Sequence, residues 1–510
     1  MPSNEREPLL QSELAGPPAQ KESKPIHPYY IVVVSFLAKL CALISTTTLV
    51  EVLLQLVCRL YWGDAPSPSV PEDSLKCSHP SVRQYFAILN SLVGIVEGLV
   101  GLLMYSPMSR LSGKYGRRSV LIVLTVFLIF ATLCLIGAYE LPTLFTAPLL
   151  LLWLITISVA GLWQFDLMTV MYVVDTISPE QRTSHLSIVL GWGYAAGVPG
   201  FALGGALTAC TGGNTAVYWA VIGMALILLA YIIFILPESF DKTKRTKLQE
   251  EWQLEGSDQD SSLRAFLRPL ALLKPHRNPT TGAWNLRLLW CSIHAFTSGI
   301  ASGYIWTAIL VYLALHLGYK PNDNGYILSI AALATGVSLI VIMPLVVESG
   351  RGFCGGKTPS PHYNSDSTAN SEMQGTTSAN SKMDRHLAIF GWLIDIVAVG
   401  LLPLARTQIQ VSIPLIILGA SYFRISTFRS VAVASADPIR SGEILAAIQT
   451  VTSLGAVFSG LVLGSVLSAS INTFPGLVFL VYSAIATVSV LALCLIRESD
   501  RYMAPNEPSA

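Results

Sequence analysis

"SRLSGKYGRRSVL", residues 109–121, sets Arg110, Lys114, Arg117 and Arg118 between two long apolar runs. The chain around it has 510 residues, 52% hydrophobic and only 12% charged, with a mean hydropathy of +0.56. Soluble domains average roughly 25% charge, so most of this surface must meet something other than water. Apolar runs of about 20 residues recur, each long enough to cross a hydrocarbon core about 30 Å thick. The sequence therefore reads as an all-α, multi-pass membrane protein. The quoted stretch reads as a short loop kept on the cytosolic side, where Lys and Arg accumulate.

Apolar runs bounded by charge, Gly or Pro lie near 30–57, 85–106, 119–139, 148–174, 185–208 and 216–236. Six more lie near 288–316, 324–347, 387–405, 410–433, 443–468 and 473–496. Besides the quoted stretch, Lys242, Lys244, Arg245 and Lys247 follow the sixth run, and Lys382 and Arg385 precede the ninth. Even-numbered connections should face the cytosol. The expected organisation is a cytosolic tail 1–28, a six-helix half 29–236, a cytosolic linker 237–284, a second six-helix half 285–496 and a cytosolic tail 497–510. Residues 349–386, rich in Ser, Thr, Asn and Gly, are expected to be a flexible cytosolic loop. Gly200-x-x-x-Gly204 in the fifth run and Gly460-x-x-x-Gly464 in the eleventh are consistent with a duplication.

The net charge of +1 is spread over short loops rather than gathered in a stripe, which excludes nucleic acid as an expected partner. No spacing of His, Cys and acids suits a metal, and no nucleophile stands beside a base, so neither a metal cofactor nor an enzyme is expected. Of the eight cysteines, Cys58 and Cys77 flank a polar outer loop and could form a disulfide in an oxidising compartment.

Charged side chains inside a bilayer cost about 2.5–3.5 kcal/mol each on insertion scales, so they turn toward the bundle interior. Lys39 and Glu51 lie in the first run, Asp166 in the fourth, His294 in the seventh, and Arg424 and Arg429 in the tenth. Every third helix is thus polar, as in a transporter of repeated triplets in which one helix of each lines a central path. Glu97 and Asp395 depart from the pattern; Asp395 is expected to pair with Arg424, and Glu97 either bonds Asn90 or joins the path. Lys39 and Glu51, 12 residues apart, are separated by about 18 Å and cannot pair with each other. Asp166 is the expected proton site, because desolvation disfavours a bare carboxylate. Gly193, Gly197, Gly200 and Gly204 allow close helix packing, with a kink at Pro199. Gly299 and Gly303 suggest similar softness beside an aromatic wall of Tyr304 and Trp306.

These residues resemble the major facilitator superfamily over about residues 29–496. Leu111, Gly116, Arg117 and Arg118 match its signature loop, while Gly113 stands where the family keeps an acid. Asp175, Glu180 and Arg182 match its element after the fourth helix, and the glycine-rich fifth helix is similar to that of proton-driven antiporters. "LPESF", residues 236–240, and the eleventh run resemble fungal members of the tetracycline-resistance-like and proton-coupled folate-transporter-like groups. The resemblance implies twelve transmembrane helices in two six-helix halves, a cavity lined by helices 1, 4, 7 and 10, and alternating access. It also implies a cytosolic latch of Asp175 with Arg117 or Arg118. The expected function is proton-coupled efflux of a secondary metabolite or drug-like compound, with no cofactor beyond the proton gradient. The alternatives are proton-coupled import of an organic nutrient, anionic if Arg424 binds it, and, less favoured, a non-transporting receptor. The expected partners are a small-molecule substrate, protons and the lipid bilayer, with the protein a monomer. The plasma membrane is the expected location; "EREPLL", with Glu5, Leu9 and Leu10, fits a sorting signal to a vacuolar or lysosomal membrane instead.

Overall fold

The computed structural model describes residues 27, 29–63, 80–178, 181–211, 214–254, 270–277, 284–317, 321–353, 368–435, 438–470 and 473–497. Helix 1 is Tyr30–Trp62, helix 2 Pro80–Tyr115, helix 3 Arg117–Glu140, and helix 4 the pair Thr143–Val159 and Leu162–Thr176. Helix 5 is the pair Arg182–Ala195 and Gly197–Thr211, and helix 6 is Thr215–Phe234. In the second half, helix 7 is Arg287–Ser302 and Ile305–His316, and helix 8 is Pro321–Val337 continued through a π-turn to Met343–Phe353. Helix 9 is Thr368–Leu401, helix 10 is Gln408–Ala420 and Phe423–Val433, helix 11 is Ser441–Ser470, and helix 12 is Leu477–Cys494. Ten spans among the described residues are long and apolar enough to cross a membrane, and the bent pair forming helix 1 makes an eleventh. Helix 2, 36 residues long, packs between the halves as the remaining long helix.

The breaks follow a rule. Helix 1 bends by 49° between Thr46 and Glu51. Helices 4, 7 and 10 are interrupted at Ala160–Gly161, Gly303–Tyr304 and Ser421–Tyr422. These are the four helices that the charge pattern sets apart. A broken helix in lipid leaves backbone groups that need other partners, so it is tolerated only inside the protein. At the helix 7 break, the Tyr304 N–H accordingly donates to Ser459 Oγ of helix 11 at 2.9 Å. Helix 5 is interrupted at Ala196, three residues before Pro199, whose missing N–H cannot bond the preceding turn.

Two expectations are corrected. The loop between helices 2 and 3 shrinks to one residue, Gly116, at φ +99°; Arg110 and Lys114 belong to helix 2, and Arg117 and Arg118 open helix 3. Only glycine takes that backbone conformation freely, so the reversal needs no longer connection. Residues 368–386, expected in a flexible loop, extend helix 9 beyond its apolar window Lys382–Leu404. Extending a helix that an apolar run has already nucleated is cheap even for Ser and Thr. The linker holds a helix, Lys242–Leu254, and an antiparallel pair of two-residue strands, His276–Arg277 with Trp284–Asn285.

Each half has its own apolar core: one includes Leu121, Met168, Leu186 and Val221, the other Ile309, Leu415, Phe479 and Leu493. Val433, Leu445 and Ala446 of the second half join the first core at the end that carries the Lys- and Arg-rich connections, called the basic end below. Toward the opposite end, a Cβ on Gly94 of helix 2 or Gly460 of helix 11 would meet nothing within 4 Å. Gly460 therefore does not share the tight packing of Gly200, where a Cβ would lie 2.9 Å from Leu43 Cβ.

Helices 7 and 11 touch backbone to backbone, since a Cβ on Gly299 would lie 2.1 Å from the Thr452 carbonyl oxygen. Gly299→Ala should therefore cost about 1–3 kcal/mol by overpacking. A lowered unfolding temperature of the detergent-solubilised variant, with Gly94→Ala unchanged as control, checks this; equal stability of the two would contradict it.

Candidate functional site

Lys39 lies in helix 1 before its bend, and Asp166 in the second segment of helix 4. Their side chains meet at 3.1 Å (Nζ to Oδ2), 8% and 10% exposed. The stem of Lys39 passes helix 5 at Gly193, where a Cβ would stand 3.1 Å from Lys39 Cδ and 2.8 Å from Ser35 Oγ. A side chain there would obstruct the lysine, so this glycine serves the ion pair as well as packing. Lys39 Nζ also sits 4.0 Å from the centre of the Tyr194 ring, a cation–π contact that offsets part of its lost hydration.

Tyr194 leads across to the second half, meeting the Tyr422 ring edge-on with centroids 5.1 Å apart. Tyr422 Oη accepts from Trp306 Nε1 at 2.8 Å, and the Arg424 guanidinium lies 4.9 Å from the Tyr422 ring and 4.4 Å from that of Trp392. Arg424 Nη2 pairs with Asp395 Oδ1 at 3.0 Å. Asp395 also accepts from Ser421 Oγ at 2.9 Å and from the Tyr482 hydroxyl. Two buried ion pairs, one per half, are thus joined by a tyrosine bridge. They differ in kind: Asp395 is fully buried and held by three donors, while Asp166 is slightly open with Lys39 as its one ion-pair partner among the described residues. Asp166 is thus the more accessible and less tightly held of the two carboxylates.

Arg429, deeper in helix 10, donates from Nη2 to Gln449 Oε1 of helix 11 at 3.3 Å, while its buried Nη1 has no hydrogen-bond partner. Ser453 Oγ of helix 11 meets Tyr105 Oη of helix 2 at 3.1 Å.

A second charge cluster closes the basic end. Arg117 Nε donates to Asp175 Oδ2 at 2.8 Å, both side chains buried. Arg117 also stacks 4.6 Å from the Phe240 ring and bonds Ser112 Oγ. Its Nη2 abuts helix 11 so closely that a Cβ on Gly442 would lie 2.9 Å away. The acid absent at Gly113 is replaced from a distance: Glu238 of "LPESF" accepts from the Arg117 N–H at 2.8 Å and the Arg118 N–H at 3.2 Å. Its carboxylate caps the positive N-terminus of helix 3. Arg118 turns aside to the carbonyls of Ile232 and Ile233. Nearby, Asp384 of helix 9 accepts from Thr183 of helix 5 and from Ser430 of helix 10, both at 2.6 Å, tying the halves together.

The remaining expected residues fall outside these clusters. Glu51 is exposed in the second part of helix 1 and accepts from Gln55, away from Lys39. Glu97 is exposed, and the side chain of Asn90 lies outside the described residues. His294 is buried between Phe428 and Trp392, with Nδ1 against Ser489 of helix 12, so it belongs to the packing of the second half. Tyr304 stands at the helix 7 break; Leu111 is half-buried; Arg182 is buried at the start of helix 5 and Gly204 within its second segment. Gly197 fits between Ala332 of helix 8 and Leu43 of helix 1. Cys58 is in a disulfide, and Cys77 lies outside the described residues, as do Glu180 and the segment with Glu5, Leu9 and Leu10. Sequence reasoning missed Glu238, Asp384, Tyr194 and Tyr422. Glu238 and Asp384 carried a usable signal, each an acid at the edge of an apolar run beside the basic connections.

A family model described as Major Facilitator Superfamily matches residues 78–354. The chain is similar to the major facilitator-type transporter psiT1 of Psilocybe cyanescens, 28% identical over 403 residues, covering 72% of this chain and 83% of that one. It is also similar to an uncharacterized membrane protein of Schizosaccharomyces pombe, 23% identical over 495 residues, with coverage of 86% and 74%. Among solved structures, the human organic anion transporter MFSD10 shares the fold, with TM-score 0.64 at 14% identity, covering 92% of this chain and all of that one.

Breaking a buried ion pair by removing one partner costs about 3–5 kcal/mol locally. Asp175→Ala should therefore loosen the basic end. A cysteine introduced at Ile439, which packs beside Phe240, should then react faster with an impermeant maleimide in inside-out vesicles. Unchanged reactivity would remove Arg117–Asp175 from the closure.

Proposed function

The chain belongs to the major facilitator superfamily, and on that premise we propose that it is a proton-coupled secondary transporter exporting a small organic molecule, a secondary metabolite or drug-like compound, across the plasma membrane. The Lys39–Asp166 pair carries this reading. A proton on Asp166 removes the charge that holds Lys39, and an unpaired cation in a low-dielectric interior is costly. Lys39 must then find another partner or the helices around it must shift. Helices 1, 4 and 5 meet at this point through Gly193, so the proton acts where the first half is broken and closely packed. Gly191 and Gly197 set helix 5 against helix 8 of the other half, where a Cβ would lie 2.7 Å from Leu339 Cβ and 3.2 Å from Ala332 Cβ. A shift of helix 5 thus reaches the second half directly. The basic cluster is the cytosolic gate, closed in this state.

A second reading, uptake together with a proton, is favoured by Arg429. A proton on Asp166 would leave both Lys39 and Arg429 seeking negative charge, so an anionic substrate and the proton would assist each other's binding.

Liposomes carrying the purified protein and a pH dye in the lumen separate the two when a library of small aromatic solutes is added outside. Exchange alkalinises the lumen as a solute enters; cotransport acidifies it. The proposal expects alkalinisation that is lost in Asp166→Asn. Acidification would replace export by uptake, and proton flux that survives in Asp166→Asn would move the coupling site elsewhere.

A further inference from the structure

At mid-depth, Lys39, Arg424 and Arg429 accompany two carboxylates, Asp166 and Asp395, while a third, Asp384, lies nearer the basic end and accepts from Thr183 and Ser430. Asp395 is used up: Arg424, Ser421 and Tyr482 all point at it. Asp166 has Lys39 at 3.1 Å. One cation is left over, and it is Arg429, which has no acid within ion-pair distance among the described residues.

Arg429 is not a stray surface charge. It lies five residues beyond Arg424, about 7.5 Å further along helix 10 toward the basic end. That places it between the tyrosine bridge and the closed latch. Tyr105 and Tyr194 each lie within electrostatic reach of both Asp166 and Arg429, so the arginine shares its surroundings with the Lys39–Asp166 pair. One arm of its fork is oriented: Nη2 donates to Gln449 Oε1 at 3.3 Å. The other arm, Nη1, is buried without a partner. A guanidinium with one nitrogen oriented by the protein and the other unsatisfied is set to receive an oxyanion, since its geometry matches carboxylate and phosphate oxygens. Counting Lys39, Asp166 and Arg429 together leaves one positive charge, which a single negative group cancels.

We propose that Arg429 is the substrate-anion site of this transporter, and that the transported molecules are small organic anions bearing a carboxylate or phosphate. The aromatic rings of Tyr194 and Tyr422, on the side of Arg429 away from the basic end, receive the apolar body of the molecule. Arg424, the arginine that stands out in the sequence, is excluded from this role because Asp395 neutralises it. The inference rests on the transport reading but on neither direction of movement.

The test is equilibrium binding to the detergent-purified full chain, read by intrinsic fluorescence and by thermal shift, and it needs no turnover. Benzoate and phenyl phosphate are the anionic probes, benzamide the neutral analogue of similar shape, and benzylamine the cationic one. The expected result is saturable binding of an anionic probe, with benzamide weaker by about tenfold, ~1.4 kcal/mol. Arg429→Gln should lose that preference and bind benzoate no better than benzamide, while Arg429→Lys retains part of it. Gln449→Ala should weaken anionic probes while leaving benzamide unaffected. An unfolding temperature for unliganded Arg429→Gln at or above that of the parent chain shows that lost binding is not lost folding. Benzylamine or benzamide binding as tightly as benzoate, no binding by either anion, or anion preference that survives in Arg429→Gln would each overturn the proposal. Failure of proton flux in liposomes with anion preference intact would instead remove the coupling reading and leave the anion site standing.

Discussion

A carboxylate inside a membrane protein must have a positive partner or carry a proton, and Asp166 meets this constraint with Lys39. Taking either charge out of water costs several kcal/mol, repaid only when the two stay close and well oriented. The surrounding structure serves that closeness. Helix 1 bends just beyond Lys39, helix 4 restarts four residues before Asp166, and Gly193 clears the lane for the lysine stem. The Tyr194 ring covers the ammonium from the side of the second half. In the proposed coupling, protonation at this one point changes the energy of three helices at once.

The second half contains a similar pair that serves a different end. Arg424–Asp395 is locked by Ser421 and Tyr482, packed beneath Trp392, and removed from solvent. It fixes the break in helix 10 and presents Tyr422 to Tyr194. The Tyr194–Tyr422 contact is the point at which the surroundings of the two ion pairs meet. At the basic end the latch combines Arg117–Asp175 with the Glu238 cap and the Asp384 hydroxyl pair, so its strength does not depend on an acid at position 113.

Much of this was legible in the residues. Length and polarity of the runs gave the helices, because a bilayer permits few alternatives to the helix. The threefold recurrence of charge marked helices 1, 4, 7 and 10, and all four are bent or broken, as is helix 5 at Ala196. The pairings were less legible. Lys39 and Asp166 lie 127 residues apart, and periodicity within a helix says nothing about which face of another helix it meets. Glu238 was hidden because its role depends on the end of helix 6 passing the start of helix 3, a matter of packing rather than of local sequence. Tyr194 and Tyr422 were hidden because tyrosines in apolar runs are common and only their mutual distance distinguishes them. The one-residue turn at Gly116 was missed because a cluster of basic residues reads as a loop, although here the charges sit on two helix ends.

The central claim is that Asp166, and not Asp395, is the carboxylate that takes up the proton. Infrared difference spectroscopy of the reconstituted protein between alkaline and acidic buffer tests it directly, through the C=O stretch of a protonated carboxyl group. The account predicts a band that appears on acidification, vanishes in Asp166→Asn and persists in Asp395→Asn. A band that follows Asp395 instead, or no carboxyl band across the range, would contradict it.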